Sequence, residues 1–105
     1  MPYIKEEYRP ELDKLIDQLS SNIVYYSKQI GEETSYAGLL NYTCTTLAMQ
    51  IIEKQFGKIR YGTIATVTGV FKNIADEFYR RVAAPYEDLQ VEKNGDVPLY
   101  QKFGK

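Results

Sequence analysis

The stretch Tyr36-Ala37-Gly38-Leu39-Leu40-Asn41-Tyr42-Thr43-Cys44-Thr45-Thr46-Leu47-Ala48-Met49-Gln50-Ile51-Ile52 contains no Asp, Glu, Lys or Arg. Its larger side chains recur in steps of three and four, at Tyr36, Leu39, Leu40, Thr43, Cys44, Leu47, Ala48, Ile51 and Ile52. That spacing defines one face of a helix. Much of the remaining surface is small or weakly polar, at Ala37, Gly38, Thr45 and Thr46. A helix with no charge on any side is central in its fold or buried by a partner chain. Thr34 or Ser35 can cap its start. Gly57, after Phe56, can take the left-handed position that ends it. The stretch therefore predicts a helix over 35–56.

Working outward, the chain repeats the pattern on both sides. Pro10 suits a first helical turn, and Glu11 and Asp13 complement its positive end. Leu12, Leu15, Ile16, Leu19, Ile23 and Tyr26 then form one stripe, which predicts a helix over 10–29 that stops near Gly31. On the other side, Thr63 can cap a helix over 63–83 with the face Ile64, Val67, Val70, Phe71, Ile74, Ala75, Phe78 and Val82. Gly69 inside it costs about 1 kcal/mol against Ala, a cost expected where a neighbouring backbone comes close. Pro85 disfavours helix at the residue before it and is expected to end this one. Residues 1–9 and 86–105 are left as arms. In the second, Asn94-Gly95 signals a turn between a short Leu89/Val91 strand and Val97, and Leu99 to Lys105 are expected to be mobile. The fold expected is all-α: a small three-helix domain over 1–105 with an irregular C-terminal arm, oligomeric. Gly38, Tyr42, Thr45 and Met49 are the expected interface, with the tail reaching the partner.

Composition removes several chemistries. The 105 residues include no His and one Cys, Cys44. Zinc sites of His and Cys, Ser-His-Asp and Cys-His catalysis and a disulfide framework are thus out of reach within one chain. A lone thiol fits a reducing compartment, and Cys44 is expected to be a small core residue. The charge balance, 13 basic against 14 acidic residues, gives a net charge of -1, without the basic excess of a nucleic-acid binder. No apolar run reaches the roughly 20 residues of a membrane span, and the N-terminus has no apolar signal-peptide region. The expected location is the cytoplasm, of the host cell if the source is a virus. Neither nucleic acid nor membrane is an expected partner, and no cofactor is expected.

One segment is more specific. Glu77-Phe78-Tyr79-Arg80-Arg81-Val82-Ala83-Ala84-Pro85-Tyr86-Glu87-Asp88, followed by Asn94-Gly95-Asp96-Val97, resembles the signature of a family of small uncharacterised proteins of bacteria, archaea and tailed phages. The opening Met1-Pro2-Tyr3-Ile4 and the block Gly38-Leu39-Leu40-Asn41-Tyr42-Thr43-Cys44-Thr45 are similar to the same family. Leu39 departs from it, standing where an acidic residue is expected, as does the tail beyond Val97. The resemblance implies a compact helical protein from a phage or prokaryote and brings no reaction with it.

The candidate site gathers Asn41, Tyr42, Thr45, Tyr61, Tyr79, Arg80, Arg81 and Tyr86. Arg presents a planar fork of donors to phosphate or carboxylate, and Tyr offers a stacking face. Together with Asn and Thr they make a plausible pocket for a small anionic, nucleotide-like ligand. The competing reading is local pairing of Arg80 and Arg81 with Asp76, Glu77, Glu87 or Asp88, fastening the tail, with Arg80–Asp76 and Arg81–Glu77 at i,i+4 spacing. Three functions follow. The first is a non-enzymatic ligand-binding protein, in a phage setting one that sequesters a nucleotide-derived host immune signal. The second is a structural or adaptor protein with a Tyr-rich binding surface, since the chain has ten Tyr and no Trp. The third is a metal-dependent nucleotide hydrolase using Asp76, Glu77, Glu87, Asp88 and Asp96. That enzyme class pairs carboxylates on its helices, which helices two and three here do not, and no Gly-rich phosphate loop is present.

Overall fold

A computed structural model describes residues 3–104. Met1 and Pro2 of the opening motif and Lys105 of the tail lie outside the described residues. Most of the described residues are helical and no strand occurs among them. After a short turn of 3-10 helix at Glu6–Tyr8 come α1 (Arg9–Ile30), α2 (Ser35–Phe56), α3 (Tyr61–Phe78), a π-helical turn (Tyr79–Ala83), α4 (Ala84–Asn94) and α5 (Pro98–Phe103). Contacts divide the residues into two units, the first ending at Val67 and the second beginning at Thr68.

In the first unit, α1 and α2 touch as a helical hairpin. Pro10 lies in the first turn of α1 and Glu11 sits beside it, as the dipole favours. Gly31 and Gly57 end α1 and α2 at φ 82° and 71°, and each amide donates to the carbonyl four residues back, Ser27 at 3.0 Å and Glu53 at 2.9 Å. Both stops are the left-handed closures that glycine adopts without strain. The N-terminal arm is held by Arg9, whose Nε and Nη2 donate to the Ile4 carbonyl at 3.1 and 2.8 Å.

The caps differ from expectation. Thr34 occupies the N-cap of α2 but makes no side-chain cap bond. The Ser35 hydroxyl is buried without a partner. The turn is instead closed by backbone, Ser35 N–H to Glu32 O at 3.2 Å and Ala37 N–H to Thr34 O at 3.0 Å. Thr63 does not cap α3, which already begins at Tyr61, because the Ile64 amide reaches back to the Arg60 carbonyl at 3.0 Å. Gly69 was expected at a close backbone approach, yet among the described residues nothing beyond its chain neighbours and its own helix backbone stands within 4 Å of where its Cβ would be, and Gly38 and Gly62 are equally open. Cys44 is half-buried rather than in a core.

The second unit overturns the irregular arm. Pro85 does not end the third helix. The Ala84 amide donates to Tyr79 O, five residues back, so the backbone takes one extra residue into the turn and continues as α4. A wider turn relieves the clash between a proline ring and the carbonyl four residues before it, and leaves the missing N–H at the start of a new helical segment. Leu89 and Val91 therefore lie in α4, not in a strand. Asn94-Gly95 closes a helix rather than a hairpin: Gly95, at φ 88°, donates to Val91 O at 2.8 Å. Val97 is extended and precedes α5, where Pro98 opens a last short helix in the segment expected to be mobile.

Core formation is sparse. Ile52, at 6% exposure, is the one buried hydrophobic among the described residues. The stripes on α1 and α2 that resembled core faces stay largely open: Leu12, Leu15, Ile16, Leu40, Leu47 and Ile51 are all exposed. Among the described residues, no helix is long and apolar enough to cross a membrane.

Candidate functional site

The eight residues proposed from sequence fall into the two units. Asn41, Tyr42 and Thr45 sit on α2, one turn apart, and Tyr61 opens α3, all within the first unit. The Thr45 hydroxyl is occupied by its own helix, donating to the Asn41 carbonyl at 2.9 Å and the Tyr42 carbonyl at 3.1 Å. Such back-bonding is the usual fate of Thr within a helix and removes the donor from any ligand. Tyr42 is exposed, and Tyr61 is the most exposed of the large hydrophobics, at 84%.

Tyr79, Arg80, Arg81 and Tyr86 belong to the second unit, around the π turn. Two of them are committed locally. Arg80 donates from Nε and Nη2 to the two carboxylate oxygens of Glu77, at 2.9 and 3.1 Å, and its Nη2 closes to 2.7 Å of Oε1. The partner is Glu77, three residues back, not Asp76 at four. The Tyr79 hydroxyl donates to Glu87 Oε1 at 2.8 Å. That bond, with Coulomb repulsion from Glu87 behind it, holds the phenol in its neutral form above the ordinary tyrosine range.

The Tyr79–Glu87 bond reports the register of the π turn. Residues eight apart on an α-helix are rotated by about 80°. One residue absorbed by the π turn makes them behave as if seven apart, two whole turns, so the two side chains share a face. The same shift makes Arg81 and Tyr86, five apart in sequence, equivalent to an i, i+4 pair. Both are exposed, and no side-chain hydrogen bond or ion pair engages either one among the described residues. No three metal-ligating side chains come together among the described residues, so the carboxylates named for a hydrolase do not form a common cluster.

Sequence reasoning passed over a different place. A hollow of about 300 Å³ lies in the first unit, lined by Phe56, Lys58, Arg60 and Thr63. It offers an aromatic ring, two cations and a hydroxyl, with no acid among the lining residues. Gly57 makes it possible, since its left-handed turn swings the chain from the end of α2 to the start of α3. The signal was present as Phe56-Gly57-Lys58-Ile59-Arg60, an aromatic residue and two cations around a helix-ending glycine. A second, more open hollow over α4 is lined by Leu89, Gln90, Glu92 and Lys93, where opposite charges sit side by side.

No curated protein and no solved structure matches the chain. One family model does, described as a domain of unknown function (DUF6899), and it matches residues 1–97. That span includes α1 to α4, the π turn and every residue weighed above, and the chain belongs to this uncharacterised family.

Proposed function

We propose that the protein is a non-enzymatic module that binds a small anionic, nucleotide-derived ligand. The observation that carries the reading is the hollow of Phe56, Lys58, Arg60 and Thr63. Its volume is at the small end of ligand sites, about 300–1,000 Å³. Two cations suit a phosphate, and Phe56 gives a base a surface to stack on. The first amides of α3 precede its first helical bond and add donors at the same end. Arg81 and Tyr86 provide a second cation-and-ring pair on the other unit, while Arg80 is drawn away by Glu77. In a phage setting, such a module acts in the host cytoplasm by sequestering an immune signal, a cyclic nucleotide or an ADP-ribose derivative.

Thermal melting with a nucleotide panel tests the reading. One or more members should raise the melting temperature, and Arg60→Ala should remove the rise while the free protein melts as before. Loss of one charge-assisted phosphate contact should weaken binding about tenfold or more. The ligand should be recovered unchanged after denaturation. A panel with no effect on wild type defeats the reading, and a hydrolysed ligand would make the protein an enzyme.

A second reading, a protein-binding adaptor, is favoured by the tyrosines. All ten are more than half exposed, and Tyr is a residue that interfaces favour. Triple replacement of Tyr25, Tyr26 and Tyr36 by Ser should leave nucleotide shifts intact if the first reading holds.

A further inference from the structure

The polar side chains of the hollow where α2 gives way to α3 are unengaged. Its lining residues, Phe56, Lys58, Arg60 and Thr63, all belong to the first unit. No ion pair or side-chain hydrogen bond engages Lys58, Arg60 or Thr63 among the described residues. The same groups are taken elsewhere: Arg80 by Glu77, Arg9 by the Ile4 carbonyl, and the Thr43 and Thr45 hydroxyls by carbonyls one turn back. Thr63 escapes that fate because it lies in the first turn of α3, where the residue four back, Ile59, precedes the helix. The backbone amides of this turn come before the first helical bond, Ile64 to Arg60 at 3.0 Å, and add donors for an anion. No carboxylate lines the hollow to compete for these groups.

We infer that this site ranks its ligands by phosphate form, taking a terminal phosphate monoester in its doubly charged state ahead of a cyclic phosphodiester. The inference rests on the reading that this hollow is the nucleotide site, and it narrows the ligand class. Near neutral pH a monoester carries about −1.5 to −2 charges and three acceptor oxygens. The planar fork of Arg60 takes two oxygens, and the third is left for Lys58 or the Thr63 hydroxyl. A cyclic diester has a single charge and two free oxygens, so an Arg60 fork that takes both leaves Lys58 with no anionic partner. The preference has a pH signature that the lining cannot supply. The second proton of a monoester leaves at about pH 6. The chain has no His, the side chain that ordinarily titrates between about pH 5 and 8, and the hollow has no acid in its lining. A change in affinity across that range therefore reports the ligand phosphate.

Calorimetric titration of the full chain tests it, with nucleoside 5′-monophosphates and the matching 3′,5′-cyclic monophosphates as probes. At about pH 7.5 a monophosphate should bind about tenfold or more tightly than its cyclic form. At about pH 5, where roughly a tenth of the monoester keeps its second charge, most of that advantage should be gone, while the cyclic form binds as before. Lys58→Gln and Arg60→Gln should each bring the monophosphate down towards the cyclic form at the higher pH and flatten its pH response. A variant that had merely unfolded would lose both probes together, and the wild-type ratio with its pH dependence needs no variant at all. Equal binding of the two forms at about pH 7.5, or a ratio that does not move with pH, overturns the inference and leaves the nucleotide reading standing. A ratio that survives both substitutions also overturns it, because the phosphate is then held elsewhere. Silence from every monophosphate overturns it too, and silence across the whole nucleotide panel defeats the underlying reading as well.

Discussion

The two units hold themselves together by different means. In the first, the α1–α2 hairpin is closed by glycine stops and backbone turns, and Ile52 is its one buried hydrophobic anchor among the described residues. In the second, side chains pin the π turn and α4, Arg80 to Glu77, Tyr79 to Glu87 and Asn94 Nδ2 to Gln90 at 3.2 Å, and the Val97 amide donates to Asp96 at 2.7 Å in the turn before α5. Apolar faces gain stability only when something covers them, and the gain scales with area. Exposed polar pins contribute little each but fix a register. The exposed apolar stripes of the hairpin thus contribute little as they stand, whereas the pins around the π turn set a particular geometry in water.

The sharpest way to break this contrast is at Ile52. Ile52→Ala should destabilise the protein by about 2–5 kcal/mol in urea melts, the range for truncating a buried aliphatic residue. Leu89→Ala on the exposed face of α4 should cost about 0.5 kcal/mol or less. Equal losses would mean that the second unit has an anchor as well.

The glycines sharpen the same contrast with opposite signs. Gly57→Ala must force a side chain into φ 71° and should cost about 1 kcal/mol or more. Gly69→Ala meets open space inside α3 and should stabilise by about 0.5–1 kcal/mol. A loss at Gly69 would show a backbone packed against it and restore the close approach expected from the sequence. Arg80→Ala removes an exposed pair with Glu77 and should cost at most about 1 kcal/mol.

Much of the helical layout was legible because its signals are local. The stop glycines, Pro10 and the three- and four-residue stripes give α1 and α2 within one or two residues of their observed ends. What failed depended on competition. A proline after a helix usually ends it, but here one extra residue in the turn accommodates the ring, and nothing in the Ala83-Ala84-Pro85 spelling separates the two outcomes. Asn-Gly serves a hairpin or a helix end equally well, and the backbone of α4 decides. Of the site, the local pairing of Arg80 was legible with Glu77 among the acids named, but not the choice of Glu77 over Asp76, since residues at three and four share a helix face. The hollow at Lys58 and Arg60 was missed because these residues read as a linker between helices, and a turn shows its concavity only once its dihedrals are set.

The smallest effect is the most direct probe of the π turn. The Tyr79 phenol donates to the Glu87 carboxylate, and this bond, more than the surrounding charge, raises the phenol above the tyrosine value of the unfolded chain, about 10. A group whose folded pKa lies above its unfolded value contributes fully below the unfolded value. It then loses that contribution as pH rises through the folded one, because the unfolded chain gives up its proton first. Stability at Tyr79 is therefore present at neutral pH and lost in alkali, above about pH 10. In NMR titrations of ring-labelled tyrosine, Tyr79 should ionise at higher pH than the ordinary tyrosine value. Glu87→Ala should bring it back to the ordinary value, and Arg80→Ala should not move it. Replacing Pro85 by Ala removes the ring that the wide turn accommodates. If the turn then tightens to an α-helix, Tyr79 and Glu87 part by about 80° and the Tyr79 titration falls back to the ordinary tyrosine value, with Glu87 still in the chain. A titration unchanged in Pro85→Ala would mean that the tyrosine–glutamate bond maintains the register and that the proline only tolerates it.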